Sequence, residues 1–264
     1  MRALFFTLGI LTANPDPYAI YHAALKQLAA LAQPPFIDEI SRWTVTVNGA
    51  EEPPTPNRRG LFRSSDRSEC VFYEPYHPTD RVTIGASYFA PDVWLVRGEK
   101  TAAAANANFA PDLGDLKTIA AVRAVAPPAY DISLAGVSRA ADGHAIYHLT
   151  LKPRFDPVKH NLRELWIDAA TYNLLRARVL GSYQVKGHPE EPSMAVEDFG
   201  AVGPYWLVTH VQWEYDVPFG ARVVVDVAAL RMSFPDAIPD WYFDERAFAR
   251  HRNDVAPFGA LSGG

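Results

Sequence analysis

The sequence predicts a mainly β protein (α+β), a long antiparallel meander curved into an incomplete β-barrel. An N-terminal helix and a helical or loop insertion are expected to cover it. Three observations predict this. Segment after segment carries apolar residues at every second position, the period of a strand with one buried face. Turn residues rather than long helices separate these segments, which argues against alternating βαβ units. The last segment, Ala221–Phe234, is far longer than the ~5–6 residues of a common strand, a length found in strongly bent sheets. The chain has 264 residues, 48% hydrophobic and 21% charged, which gives room for one large domain or two small ones and argues against disorder.

The first thirteen residues, MRALFFTLGILTA, combine Arg2 with an apolar run from Ala3 to Leu11 and a small residue before the Asn14-Pro15 break. That layout is a short export signal with cleavage near Ala13, and the run is well short of the ~20 residues of a membrane span. Residues 14–264 are then a single domain, periplasmic or extracellular, with an insertion at 98–129 and a frayed tail at 259–264. A helix follows, capped by Asp16 with Pro17 in its first turn. Tyr21, Leu25, Leu28 and Ala32 form its apolar stripe, and Pro34-Pro35 ends it.

Strands are expected at Ile40–Val47, Arg67–Tyr73, Ala86–Arg97, Tyr130–Val137, Ala145–Lys152, Arg163–Asp168, Asn173–Tyr183, Tyr205–Val217 and Ala221–Phe234. Asn48-Gly49, Asp142-Gly143 and Asp168–Thr171 supply turns between them. Gly98–Ala129, rich in alanine and broken by Pro111 and Gly114, is the insertion. Pro235–Asp240 leads into a second cover segment, Trp241–Phe248.

The chemistry of the side chains narrows the function classes. A net charge of -5 argues against a non-specific nucleic-acid binder, which needs a positive face. The single cysteine, Cys70, excludes an internal disulfide and Cys-rich metal sites, and its apolar strand context reads as packing. His144 and His148 stand two strand repeats apart, about 13 Å along a straight strand, too far to share one ion. There is no His-Glu-x-x-His, no Gly-x-Ser-x-Gly and no Gly-rich phosphate loop. Glu190-Glu191 and Asp244-Glu245 read as surface turns. No cofactor, metal or catalytic residue is expected. The aromatics are abundant instead: six Trp, twelve Tyr and fourteen Phe, many of them on the apolar faces of expected strands. They either fill a β core or line an apolar pocket that a curved sheet leaves open.

Two stretches carry a resemblance. Gly143–Tyr183 contains a strand ending in Trp166-Ile167-Asp168, a hairpin and a returning strand. The run from Arg231 passes into Ile238-Pro239-Asp240 and a closing aromatic segment. With the order of elements, these resemble the LolA/LolB-like family of periplasmic lipoprotein carriers. The resemblance implies a bacterial, non-enzymatic protein, monomeric, whose lidded cavity holds a lipid or the acyl chains of a lipoprotein, with transient contact to a membrane or membrane protein. It carries no functional residue over to this chain. From alternation alone, the cavity-lining residues are expected to be Trp43, Val45, Trp94, Tyr147, Val211, Trp213 and Tyr215, with Tyr21, Leu25 and Leu28 as the lid. Two rivals remain: a structural or adhesive domain with a filled core, and a hydrolase in which His144, His148 or His210 clusters with carboxylates.

Overall fold

The structure, a computed structural model, describes residues 15–66, 68–86, 129–155, 160, 162–184, 190–217 and 220–256. Helix α1 spans Pro17–Ala30. The Asp16 side chain accepts a hydrogen bond from the Tyr18 N–H at 3.0 Å, and Pro17 occupies the position where a missing N–H costs nothing. Ile20, Tyr21 and Ala24 are its buried residues, whereas His22 and Lys26 stay in solvent. The helix ends at Ala30, so Ala32 falls outside the stripe expected to include it.

Twelve strands follow: β1 (Phe36–Val47), β2 (Ala50–Glu51), β3 (Asn57–Arg63), β4 (Ser68–Glu74), β5 (Thr83–Ala86), β6 (Tyr130–Arg139), β7 (Ala145–Pro153), β8 (Leu162–Asp168), β9 (Leu174–Gln184), β10 (Glu190–Val202), β11 (Tyr205–Asp216) and β12 (Arg222–Ser233). They form one antiparallel sheet in the order β5-β4-β3-β1-β12-β11-β10-β9-β8-β7-β6, with β2 hooked onto β1. The meander is interrupted once. Two hairpin runs are sewn together by the first and last strands, which pair from Asp38↔Ser233 to Val47↔Val223. The sheet does not close, and its edges, β5 and β6, are the strands that flank residues 87–128 in the chain.

Local chemistry explains the turns. Asn48 and Gly49 both take positive φ, 52° and 83°, as a two-residue hairpin turn requires. At the β8–β9 hairpin the Asp168 carboxylate accepts from the Ala170 and Thr171 N–H groups and from the Thr171 hydroxyl. The expected strand over Ala86–Arg97 and the insertion at 98–129 lie outside the described residues, save Ala86 at the end of β5 and Ala129. Strands β3 and β10 depart from the sequence expectation. Arg58, Arg59 and Gly60 break the alternation of the first, and Pro192, Glu197 and Gly200 that of the second. Glu190-Glu191, expected in a turn, opens β10.

The two faces of the sheet are covered differently. The inner face gathers Tyr130, Ile132, Leu149, Leu165, Ala177, Ala195, Val211 and Val225 into one apolar cluster that includes the buried side of α1. On the opposite face the C-terminal segment packs over β3–β5, where Leu61, Cys70 and Phe72 meet Ile238, Tyr242 and Phe248. This segment holds a 3-10 turn at Asp240–Phe243 and a short helix α2 (Glu245–Arg250), capped by Asp244 through the Ala247 N–H. A buried ion pair fastens it. Arg59, fully buried, donates from Nε and Nη2 to both Asp38 oxygens at 2.8 and 2.7 Å. Its Nη1 donates to the Ala256 carbonyl at 2.6 Å. A methyl group at Gly60 would stand 2.5 Å from the tip of the Phe62 ring, which would have to move to admit it.

Candidate ligand-binding face

On β1, β12 and β11 the ladder sets the expected residues in three rows: Trp43–Val227–Val211, Val45–Val225–Trp213 and Val47–Val223–Tyr215. Directly paired residues share a face, so these rows form one continuous apolar surface. Tyr147, on β7 opposite Ile167, joins the same cluster further along the sheet. Trp94 lies outside the described residues. Tyr21 is buried, and Leu25 and Leu28 pack half-buried against this cluster. The helix is tied to the far end of the sheet: the Tyr18 hydroxyl accepts from the Ile132 N–H, and the Gln27 amide donates to Asn173 at 2.9 Å. At the β1–β12–β11 end, Trp43, Trp213 and Tyr215 are only half-buried.

The aromatic row has a polar end. Trp43 and Trp213 meet edge to face with ring centroids 5.7 Å apart. The Trp43 indole donates to Ser41 Oγ at 3.2 Å. The Arg58 guanidinium lies 3.8 Å from the Trp43 ring centroid and 5.8 Å from that of Tyr73. Beyond it a depression of about 200 Å³ is lined by Arg58, Val71, Phe72, Tyr73, Arg81 and Thr83. Arg58 is half-buried, and its Nε has no hydrogen-bond partner among the described residues.

Two of the acids on the inner face are buried with raised pKa values. Glu197 on β10 pairs with Val211 on one side and Ala177 on the other, in the middle of the apolar cluster. It is fully buried, and neither carboxyl oxygen has a hydrogen-bond partner among the described residues. Burial therefore holds its pKa well above the ordinary carboxylate range, so the group is a neutral acid. Glu39 on β1 is buried as well. Desolvation raises it, a hydrogen bond with Ser41 offsets part of this, and the charge of Glu69 adds to the rise, so that it titrates at about 8.

The outer face carries His144, His148 and His210. The Arg176 side chain donates to Asp198 at 2.5 Å, His210 Nδ1 meets Asp198 at 3.0 Å, and His210 Nε2 meets Asp226 at 2.8 Å. Burial lowers the His210 pKa, but the hydrogen bonds to Asp226 and Asp198 more than offset this and leave it raised. His148 stacks flat on Trp166 at 4.3 Å and bonds Glu164, which also holds Arg178. His144 stands 3.7 Å from both Asp142 and Asp168. The clustering that would favour a hydrolase is thus present, but at His210 the geometry is wrong for a base. Carboxylates occupy both nitrogens of His210 from opposite ring edges, so neither nitrogen is free to take a proton from a substrate and the three groups converge on no single point. Cys70 is buried, and burial pushes its thiol pKa up, away from reactive thiolate.

The His210 ladder makes a pH prediction. A group whose folded pKa exceeds its unfolded value stabilises fully below the unfolded pKa of about 6.5, and that contribution is lost as pH rises through the folded value. Urea unfolding should show stability declining from pH 6.5 upward. In His210→Gln the decline should be shallower, and an unchanged slope would remove the ladder from the account.

Sequence reasoning missed Arg58, Arg81, Glu39 and Glu197. The available signal was negative: charged residues interrupting otherwise strand-like text, in the two segments not read as strands for Arg58 and Glu197. Among the described residues no helix is long and apolar enough to cross a membrane, and no group of three or more His, Cys, Asp or Glu could hold a metal ion.

No protein-family model matches the chain, and no curated protein matches it in sequence. Among solved structures it is similar to a DUF1329 family protein from Desulfovibrio piger, at 13% identity and a TM-score of 0.41, covering 88% of this chain and 99% of that one. It is also similar to a domain from Vibrio parahaemolyticus described as outer-membrane lipoprotein-sorting, at 10% identity and a TM-score of 0.43, covering 89% and 100%. A third is the LolA superfamily protein NE2245 from Nitrosomonas europaea, at 17% identity and a TM-score of 0.38, covering 88% and 99%.

Proposed function

We propose that this chain is an exported, non-enzymatic binding or carrier protein that holds the acyl chain of a lipid or lipoprotein against the inner face of its sheet. The observation that carries this reading is the half-buried aromatic end of that face. Trp43, Trp213 and Tyr215 are large aromatics that stay only half-buried at one end of the apolar cluster around Glu197. Large aromatics left partly wet on a curved face are the ordinary lining of an apolar ligand site. Each CH₂ removed from water there contributes about 0.8 kcal/mol, which suits a long alkyl chain. A structural domain with a filled core has no need of a half-buried row of large aromatics.

The test is native mass spectrometry of protein purified without detergent from a membrane-containing host, followed by organic extraction. A co-purifying lipid is the expected result, and the protein mass itself reads whether residues 1–13 were removed. A fluorescent fatty-acid probe should then bind the wild type and bind Trp213→Asp at least about tenfold more weakly, the value of roughly two buried CH₂ groups. Protein free of lipid that also ignores the probe would leave the filled-core domain as the better reading.

A further inference from the structure

We propose that the depression at Arg58 and Arg81 is an oxyanion site, and that the ligand of the inner face is an amphiphile with a phosphate or carboxylate head. The tail part of this proposal rests on the acyl-binding reading above; the anion site stands on its own geometry. Arg58 is half-buried, its Nε–H has no partner, and no carboxylate lies within ion-pair distance of it or of Arg81 among the described residues. Several other arginines are paired with carboxylates: Arg59 with Asp38, Arg63 with Asp66 and Asp240, Arg154 with Asp131, Arg176 with Asp198 and Arg178 with Glu164. A partly desolvated cation with an unmet donor is costly unless an anion completes it.

The geometry suits a head group at the end of a tail. The Arg58 guanidinium carbon sits 3.8 Å from the Trp43 ring centroid, a cation–π contact that restrains the side chain and favours two-point recognition of an oxyanion. Arg81 and Thr83 border the same space and bring further donors to it. Its volume of about 200 Å³ is below the ~300–1,000 Å³ of a pocket that encloses a drug-sized ligand, so it has room for one head group rather than a whole ligand. Glu39 and Ser41 lie on the same face of β1, and Glu39 does not compensate Arg58, because it remains a neutral acid through neutral pH. The chain as a whole carries a charge of -5, so attraction for anions would be local to this site.

The experiment compares wild type, Arg58→Met and Arg81→Met by isothermal titration with a long-chain fatty acid, the monoacylglycerol phosphate and the uncharged monoacylglycerol of equal chain length, and inorganic phosphate. Charge-assisted hydrogen bonds predict that the anionic amphiphiles bind the wild type roughly 10- to 100-fold tighter than the monoacylglycerol. That advantage should shrink in either variant while monoacylglycerol affinity holds. Arg81 is exposed, so Arg81→Met serves as the variant whose folding is not in question. The stronger of the two anionic binders identifies the head as carboxylate or phosphate. Equal affinity for charged and uncharged amphiphiles would overturn the oxyanion site and leave acyl binding intact. If no amphiphile binds but phosphate binds in an Arg58- and Arg81-dependent way, the anion site stands and the acyl reading falls. No binding of any probe overturns both.

Discussion

Arg59→Met should cost about 3–5 kcal/mol of stability, because it strands the Asp38 carboxylate in a buried site with its partner gone. Asp38 is 1% exposed and Arg59 fully buried, so water cannot replace the lost contacts. The loss should be felt far from β3. Arg59 also holds the Ala256 carbonyl, and Tyr242, whose hydroxyl accepts from the Ala256 N–H, packs with Phe72 and Phe248 beneath it. Urea unfolding followed by tryptophan fluorescence, with Trp241 in the C-terminal cover as a local reporter, measures both effects. The double change Arg59→Met with Asp38→Leu should recover most of the loss, since apolar replacement of a whole buried pair is often neutral or stabilising. A single variant within 1 kcal/mol of wild type would mean that the pair contributes little to holding the C-terminal segment.

Glu197→Met should do the opposite and stabilise the protein, by about 2–4 kcal/mol at pH 8. Its acid group is fully buried among Val211, Ala177 and their neighbours with no hydrogen-bond partner among the described residues, so the native state carries an unmet desolvation cost. The pH dependence follows from linkage. In the unfolded chain the group ionises near its ordinary value of 4.5, while in the folded chain it stays protonated well above that. Between those values the folded state binds more protons, so stability is full below about pH 4.5 and falls as pH rises. Glu39, titrating at about 8, adds a decline of the same sign between 4.5 and 8. Glu197→Met should therefore flatten the stability profile without abolishing its slope. A variant that is less stable than wild type at pH 8 would show that the carboxyl is satisfied after all.

Much of the sheet was legible because half-burial leaves a period of two. Trp43, Val45 and Val47 against Arg42, Thr44 and Thr46 place β1, and Val211, Trp213 and Tyr215 place β11, without any knowledge of their neighbours. The strands that escaped are those in which a charged or glycine residue takes an interior position. Arg59 faces the C-terminal cover, Glu197 faces the apolar cluster, and each makes a buried strand read as a surface segment. The candidate site divides in the same way. Its aromatic rows follow from alternation, whereas Arg58 and Arg81, 23 positions apart in the chain, border one depression only after β3 and β4 have paired.

By itself the sequence determined the class of the fold, the capped helix at Asp16, the Asn48-Gly49 and Asp168 turns, and which side chains of β1, β7 and β11 share a face. These depend on interactions within a few residues, or on a period that any one-sided sheet imposes. Tertiary structure alone decided that β1 joins β12, that the opening of the sheet falls between β5 and β6, and that the two covers lie on opposite faces. It also decided which charges are interior. Whether Arg59 is paired, Arg58 uncompensated or Glu197 neutral is set by the dielectric surroundings and by partners distant in the chain, and no local pattern of residue types encodes those.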